Sequence, residues 1–371
     1  MPVADIDLSA LTRNAARLRR RAQGGADLLV AVKADAYGHG LIPVARALAR
    51  EGVSWFGVAT ADEAWQLRRA GVPGRVLIFG PLRGTELRRA LASDADLTVC
   101  TDDDVDAVRA AQAERREAAM ARPRLHLNVD TGMARLGQRP AEARAVADRI
   151  DADDALTLEG AWTHLACADD LDADVTDRQL DAFDRFLADL ARDGIRPTLR
   201  HAANSAGLLA HPRSHYDLVR SGIAAYGCCP GLGLERFMPE FEPVLRLTAP
   251  VTFVKRVRSG ESVSYGHRWT APKDVTVATV RIGYADGYPR ALSNRGEASL
   301  HGRTVQVAGT VCMDQLMLDA GDAQVDVGDR VVLLGPGGPS AESLATRIGT
   351  IPYDLVTRVG GRVLRRYRLD G

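Results

Sequence analysis

Of the 48 lysine and arginine residues in this 371-residue chain only three are lysine, and one, Lys33, closes the apolar run Leu28-Leu29-Val30-Ala31-Val32. A chain that otherwise chooses arginine for positive charge, yet sets an amine at the tip of an apolar segment, points to a use that arginine cannot serve. A desolvated lysine loses its proton and attacks a carbonyl to form an imine, whereas guanidinium stays charged. A strand-end lysine snorkelling its ammonium to water is the plainer alternative. The residues that follow, Ala34-Asp35-Ala36-Tyr37-Gly38-His39-Gly40, tip the balance toward chemistry. Their glycines permit a tight turn, and a phenol and an imidazole follow the amine at once.

Such a lysine needs a sheet to carry it. Between residues 25 and 230, short apolar or β-branched runs alternate with Ala-, Arg- and Leu-rich stretches of helical period, the pattern of βα units around a parallel sheet. Eight strands are expected at 28–33, 54–59, 75–80, 96–100, 125–129, 158–164, 198–202 and 216–223. Helices are expected at 61–70, 85–93, 102–120, 141–150, 176–193 and 205–209. Eight units over about 200–250 residues fit a (β/α)8 TIM-like barrel better than a doubly wound open sheet.

Reactive side chains of such a barrel gather at the C-terminal strand ends. Lys33 ends the first strand, Asn128 and Asp130 the fifth and His164 the sixth; Asn204 and Ser205 follow the seventh, and Arg220 with Gly222 and Ile223 end the eighth. After Pro230 the texture changes. Residues 245–257, 275–283, 298–311 and 326–334 are alternating or β-rich runs broken by glycines and Asp-Gly pairs, as in an antiparallel β domain. The expected class is therefore α/β plus β: a cofactor-binding barrel over 1–235 and a mainly antiparallel β domain over 236–371. The segment 231–250 makes the crossing, and the first few residues are free to pack with the second domain. Glycine clusters at 231–233 and 335–338 fit turns, not a dinucleotide-binding loop.

Composition narrows the partners. The 48 basic residues balance 48 acidic ones, without the basic stripe of a nucleic-acid binder or the polybasic face of a membrane-surface helix. Small molecules and a second copy of the chain are the expected partners. The N-terminus lacks an apolar leader and no run reaches the length of a membrane span, so the expected location is the cytoplasm. The cysteines, Cys100, Cys167, Cys228, Cys229 and Cys312, are odd in number and lack CxxC spacing. That argues against a disulfide frame or a zinc site. Cys228-Cys229 reads as a pair of small buried residues, and His211 and His215 flank Pro212 as turn residues.

An imine-forming lysine on a barrel invites a phosphorylated aldehyde, because loops after the last two strands commonly hold phosphate through backbone N–H groups. Here those loops are Asn204-Ser205-Ala206-Gly207 and Ser221-Gly222-Ile223. Ser205 can cap the helix after it and present its hydroxyl to phosphate, and Gly222 permits close backbone approach. Either loop alone also fits an ordinary cap or turn. With Lys33 they favour pyridoxal 5'-phosphate. Arg220 would then face the pyridine nitrogen as a group that keeps its protons, leaving that nitrogen unprotonated and the ring a weaker electron sink. Such a cofactor suits quick proton exchange and disfavours transamination. An ion pair with Asp217 is the alternative use of this arginine.

Seven segments now carry a resemblance. They are Ala31-Val32-Lys33-Ala34-Asp35-Ala36-Tyr37-Gly38-His39-Gly40, Asp130-Thr131-Gly132-Met133-Ala134-Arg135-Leu136-Gly137, Thr163-His164-Leu165-Ala166, Val219-Arg220-Ser221-Gly222-Ile223, Val263-Ser264-Tyr265-Gly266, Gly283-Tyr284-Ala285-Asp286-Gly287-Tyr288-Pro289-Arg290 and Cys312-Met313-Asp314-Gln315. In this order, from Val3 to Tyr367, the chain resembles the alanine racemases. The resemblance implies that Lys33 carries the imine and that Tyr37, Ser205, Gly222, Ile223 and Tyr353, with Asn204 beside them, hold the phosphate. Arg220 would face the pyridine nitrogen, and His164 would connect the ring region with a catalytic phenol. Arg135 and the backbone at Met313 would receive the substrate carboxylate. It also implies a homodimer in which Tyr265, Tyr284, Met313 and Asp314 of one subunit complete the site of the other, and D-alanine made for peptidoglycan.

Racemisation removes a proton from one face of Cα and returns one to the other, so two opposed acid/base groups are simpler than one that swings across. Lys33 would serve the D face and Tyr265 the L face. Free phenol and free lysine titrate near ~10 and ~10.4, so both need lowering. Arg220 acting through His164 would favour phenolate, and desolvation would favour the neutral amine. Without the resemblance, Tyr265 reads as an aromatic strand residue with a wet hydroxyl.

Two positions depart from the family pattern. Asn128 stands where many members carry a lysine that is often carbamylated and orients the substrate-binding arginine; Arg135 would need another partner, and chloride or a similar anion near both is expected. Thr310 replaces a frequent arginine of the substrate corridor, which would widen or recharge the entrance. Rival readings are a racemase of broader range acting on serine or other amino acids, a pyridoxal-phosphate-dependent amino-acid decarboxylase, and a cofactor-binding homeostasis protein without turnover. Tyr265 and Arg220 disfavour the decarboxylase, and a homeostasis protein would not need the second domain.

Overall fold

The computed structural model describes residues 1–114, 122–231 and 233–369. Two eight-stranded sheets organise it. The parallel sheet runs in chain order through Asp27–Ala31, Trp55–Val58, Arg75–Ile78, Asp96–Val99, Arg124–Asn128, Thr157–Trp162, Leu199–His201 and Leu218–Ser221, each beside the next or, for the last, beside the first. Backbone bonds from Asp217 to Arg200 (3.0 Å) and from Arg220 to Ala203 (3.0 Å) close the remaining seam. The result is a TIM-like barrel, with strands near all eight expected positions.

The helices follow from local signals. Thr60 and Thr101 each begin one with a reciprocal capping box, and Pro140 starts another where its missing N–H costs nothing. Helices Leu8–Arg21 and Leu41–Arg50 add to those expected. The helix expected at 102–120 is described as Asp102–Ala113, and residues 115–120 lie outside the described ones.

Inside the barrel the filling is uneven. Leu29, Trp55, Leu77 and Leu218 form a buried apolar layer, as is usual for this architecture. Opposite them Asp96, His126, His201 and Arg220 are also buried. A polar half-core costs stability unless every group in it finds a partner.

The second sheet is mainly antiparallel and contains the chain's start. Val3–Asp7 pairs antiparallel with Leu245–Val257 and parallel with Leu364–Arg368, so the first residues pack there and not in the barrel. The strand beginning at Leu245 shortens the expected crossing of 231–250. The run at 298–311 is not one strand but a hairpin, Glu297–Leu300 with Arg303–Val307, reversing through His301 and Gly302 at positive φ. Two helices that strand periodicity did not reveal, Ala341–Ile348 and Pro352–Thr357, also belong to this half, and the second reaches the barrel mouth. Among the described residues no helix is long and apolar enough to cross a membrane.

Candidate active site

The first strand stops at Ala31, so Lys33 does not end it. It opens a turn of the opposite hand. Ala34, Asp35, Ala36 and Tyr37 all have φ of 53–54°, a left-handed turn that L-residues adopt at a cost of about 1–2 kcal/mol each. Its exposed donors are caught: Ala34 N–H by Glu63 Oε1 (2.7 Å) and Leu41 N–H by Asp35 Oδ1 (2.7 Å). Glu63 is itself fixed by Ala59 and Thr60 N–H groups at 2.8 and 3.1 Å. The turn directs Lys33 into a cavity of about 490 Å³ at the barrel mouth and brings Tyr37 into its wall.

That cavity gathers most of the expected residues: Lys33, Tyr37, Arg135, His164, Asn204, Ser205, Arg220, Gly222 and Tyr353. Ile223 is buried immediately behind Gly222. The helix cap differs from expectation. Asn204, not Ser205, caps Ser205–Ala210 by accepting from Gly207 N–H at 2.9 Å, because the residue just outside the first turn holds the capping geometry. Ser205 Oγ instead accepts from Gly222 N–H (2.8 Å) and ties the two loops together. Tyr37 stacks on Tyr226 with ring centres 5.1 Å apart and lies 6.2 Å from Tyr353. A Cβ at Gly222 would come 2.6 Å from the Tyr37 hydroxyl, so only glycine lets the loop approach this closely.

Electrostatics separate the roles. Burial, followed by the charge of Arg135, lowers the Lys33 pKa against a smaller opposing pull from Glu63; Lys33 makes no ion pair among the described residues and lies 5.6 Å from the Phe79 ring centre. Burial pushes Tyr37 up to about 12 and raises Tyr353 too, so both phenols stay hydrogen-bond donors. His164 falls to about 3 through burial and the charges of Arg220, Arg135 and Lys33, which makes it a neutral ring. Arg220 is brought down to about 9 by burial and has no carboxylate partner among the described residues: Asp217 pairs with Arg200 instead, at 2.7 Å. It donates to His201 Nδ1 (2.8 Å), Thr163 O (2.8 Å), Ala202 O (3.0 Å) and, more loosely, His164 Nδ1 (3.4 Å).

Tyr265, Tyr284, Met313 and Asp314 do not line their own chain's cavity. They form an outward patch on the second domain in which Tyr265 is 74% exposed, Met313 53% and Tyr284 42%. Backbone bonds from Tyr284 to Cys312 (3.1 Å) and from Ala285 to Met313 (3.0 Å) join two of its loops. Ser264 Oγ donates to Thr310 O at 2.7 Å, and Thr310 Oγ1 returns a bond to Tyr265 O at 2.9 Å. The threonine expected to open the entrance is thus buried in a clasp that holds the Tyr265 backbone. Asn128 ends its strand against Gly137, whose added Cβ would meet its Oδ1 at 2.3 Å; Arg135 has no ion pair among the described residues.

Sequence reasoning missed Glu63, Thr163, His201 and two aromatic walls, Phe79 and Trp162. The Thr60-to-Glu63 spacing of a capping box was a usable signal for the first. The buried indole N–H of Trp162 has no partner among the described residues and lies beside the cavity.

Known proteins share this arrangement. Residues 6–230 match the family profile described as "Alanine racemase, N-terminal domain" and residues 244–367 the one described as "Alanine racemase, C-terminal domain". The chain belongs to the alanine racemase family. An alanine racemase from Thermobifida fusca (strain YX) is 43% identical, over 98% of this chain and 97% of its own. The crystal structure of alanine racemase from D-cycloserine producing Streptomyces lavendulae superposes with a TM-score of 0.93 at 40% identity, covering 100% of this chain and 97% of that one. The alanine racemase of Streptomyces coelicolor A3(2) gives 0.92 at 39%, covering 99% and 97%. The family depends on pyridoxal 5'-phosphate, and the residues here fit it: an amine of lowered pKa, a glycine loop that a Cβ would block, and buried phenols that stay protonated.

Proposed function

We propose that the chain interconverts L- and D-alanine as a pyridoxal 5'-phosphate-dependent racemase, and that it works as a homodimer whose sites are each completed by the partner's second domain. One observation carries the reading: an amine whose pKa burial lowers shares a cavity with a guanidinium that has only neutral partners among the described residues. When bound, pyridoxal 5'-phosphate supplies a carbonyl carbon for amines and a conjugated ring that accepts electron density from the substrate Cα.

The side chains do the rest. Lys33, whose charged form desolvation disfavours, exchanges the Cα proton on the D face, and the partner subunit's Tyr265 exchanges it on the L face. Tyr37, Ser205, Gly222, Ile223 and Tyr353 hold the phosphate, with Asn204 fixing the helix beside it. Arg220 stays charged near neutral pH even when lowered to about 9, so a nitrogen facing it keeps its lone pair. His164, kept uncharged, links Arg220 to the partner subunit's phenol. Arg135 and the backbone of the partner subunit's Met313 take the substrate carboxylate, while the partner subunit's Tyr284 and Asp314 flank the entrance. Chloride or a similar anion near Asn128 and Arg135 orients that arginine. A cytoplasmic location and a product destined for peptidoglycan belong to this proposal as implications of the family.

The test joins tether and turnover. The purified protein incubated with pyridoxal 5'-phosphate should gain visible absorbance, borohydride should fix the added mass on Lys33, and L-alanine should lose its optical rotation. A tethered protein that leaves L-alanine unchanged, or releases carbon dioxide, would sink the assignment.

A further inference from the structure

Behind Arg220, a file of buried groups runs away from the cavity to the barrel floor. Arg220 Nη1 lies 2.8 Å from His201 Nδ1, His201 Nε2 lies 2.9 Å from His126 Nδ1, and His126 Nε2 lies 3.3 Å from Asp96 Oδ1. The two imidazoles and the carboxylate are fully shielded from water. Neither His126, His201 nor Asp96 lines the cavity.

The proton positions in this file follow from one constraint. Guanidinium has donors only, so His201 Nδ1 must be the acceptor and the His201 proton must sit on Nε2. That N–H points at His126 Nδ1, which must then accept, leaving the His126 proton on Nε2. The last N–H ends on Asp96, which when ionised is an acceptor only and cannot offer a proton back to His126. Asp96 is held ionised: burial raises its pKa, but the hydrogen bond from His126 and the hydrogen bond and charge of Arg75 outweigh this and lower it. Arg75, with Arg124 at 3.3 Å, braces the carboxylate from the floor, and Glu159 braces Arg75 at 2.5 Å. Trp162 stacks on His201 with ring planes 4° apart and lies 4.7 Å below the Arg220 guanidinium carbon. Every member therefore has one orientation.

We propose that Asp96 and His126, remote from the cavity, are positioning residues for Arg220. Their proton order makes His201 present a lone pair, not an N–H, to the guanidinium, and so fixes Arg220 as a charged donor at the mouth. The proposal rests on the assignment of Arg220 to the cofactor ring. A neutral residue at position 96 would let the order reverse. Asp96→Asn can offer its amide N–H to His126 Nε2, moving the His126 proton to Nδ1 and the His201 proton toward Arg220, where two donors would meet.

The first measurement needs no variant. In protein labelled with 15N-histidine, long-range proton–nitrogen spectra at neutral pH should show His126 and His201 as neutral rings protonated on Nε2, in both apoenzyme and holoenzyme. Either ring protonated on Nδ1, or carrying both protons, overturns the proposal. In Asp96→Asn the His201 pattern should change and the dissociation constant for pyridoxal 5'-phosphate should rise about tenfold, the scale of one lost charge-assisted hydrogen bond. Glu159→Gln, which disturbs the same floor cluster outside the file, should leave the His201 pattern and the cofactor affinity unchanged. Equal weakening in both variants, or a folded Asp96→Asn protein with parental affinity and spectrum, overturns it too. Failure of the underlying assignment would look different: Arg220→Gln would leave cofactor affinity intact.

Discussion

Gly222→Ala is the sharpest test of the cofactor cradle. The added methyl would lie 2.6 Å from the Tyr37 hydroxyl and 3.2 Å from the ring carbon that bears it, against an ordinary contact of about 3.4–4 Å. The ring has nowhere to go. Tyr226 stacks on one side and is pinned by a 2.9 Å bond from its hydroxyl to Ala31 O. His39 closes the far side of Tyr226 at 4.6 Å, and the Tyr37 backbone is committed to the left-handed turn. Overpacking of this kind costs about 1–3 kcal/mol, which as a binding loss is roughly 5- to 150-fold. Titration of apoenzyme with pyridoxal 5'-phosphate should show that weakening, and a melt should show whether part of the cost falls on the fold. Tyr37→Phe removes the nearest atom and a phosphate donor, so alone it should weaken binding several-fold. The double variant should lose less than the sum of the two, since the remaining contact starts at 3.2 Å. Additive losses, or a Gly222→Ala protein with parental affinity and melting temperature, would refute the close approach of these loops.

Further outcomes follow from the same geometry. Tyr265→Phe should largely spare solvent exchange of the α-hydrogen of D-alanine and suppress it on L-alanine; equal loss from both enantiomers would remove the two-base assignment. Replacing chloride by a bulky anion should raise the KM for alanine severalfold, and Asn128→Asp, which supplies its own negative charge, should make KM insensitive to chloride. His39 is fully buried, and burial chiefly lowers it from 6.5 to about 4, so its contribution is complete above 6.5 and is lost as pH falls toward 4. Chemical denaturation should show about 3 kcal/mol less stability at pH 4 than at pH 7 from this ring alone. His39→Gln should lower the slope with pH by about one proton, and an unchanged slope would contradict the buried neutral ring.

What the sequence disclosed depended on whether a feature was local. Strand periodicity and strand-end position located the eight barrel strands and placed Lys33, His164 and Arg220 at one end, because a parallel barrel puts every C-terminal end on the same face. The residues that act on those groups from behind were hidden. His201, His126 and Asp96 lie on three different strands, and nothing in their spacing along the chain reveals that they meet inside the barrel. The hairpin within 298–311 escaped for a related reason: His301 and Gly302 reverse an uninterrupted β-rich run through positive φ, which alternation cannot register. Ser205 looked like a cap because it resembles one, while Asn204, equally suited, occupies the position just outside the helix.

The left-handed turn explains why the two halves of one chain are needed even before a partner is considered. Four residues at positive φ carry roughly 4–8 kcal/mol of strain, and the barrel alone catches only part of the turn through Glu63. The second half holds the remainder. Arg365 donates to Gly38 O at 2.9 Å and pairs with Asp35 at 3.3 Å. The Tyr367 hydroxyl sits where a Cβ of Gly40 would be, only 2.0 Å from it, and Tyr353 comes to the Tyr37 ring from the helix Pro352–Thr357. The lysine that ends an apolar run in the barrel is therefore aimed by contacts from the last twenty residues of the chain. Damage to that C-terminal strand would reach the amine without touching the cavity.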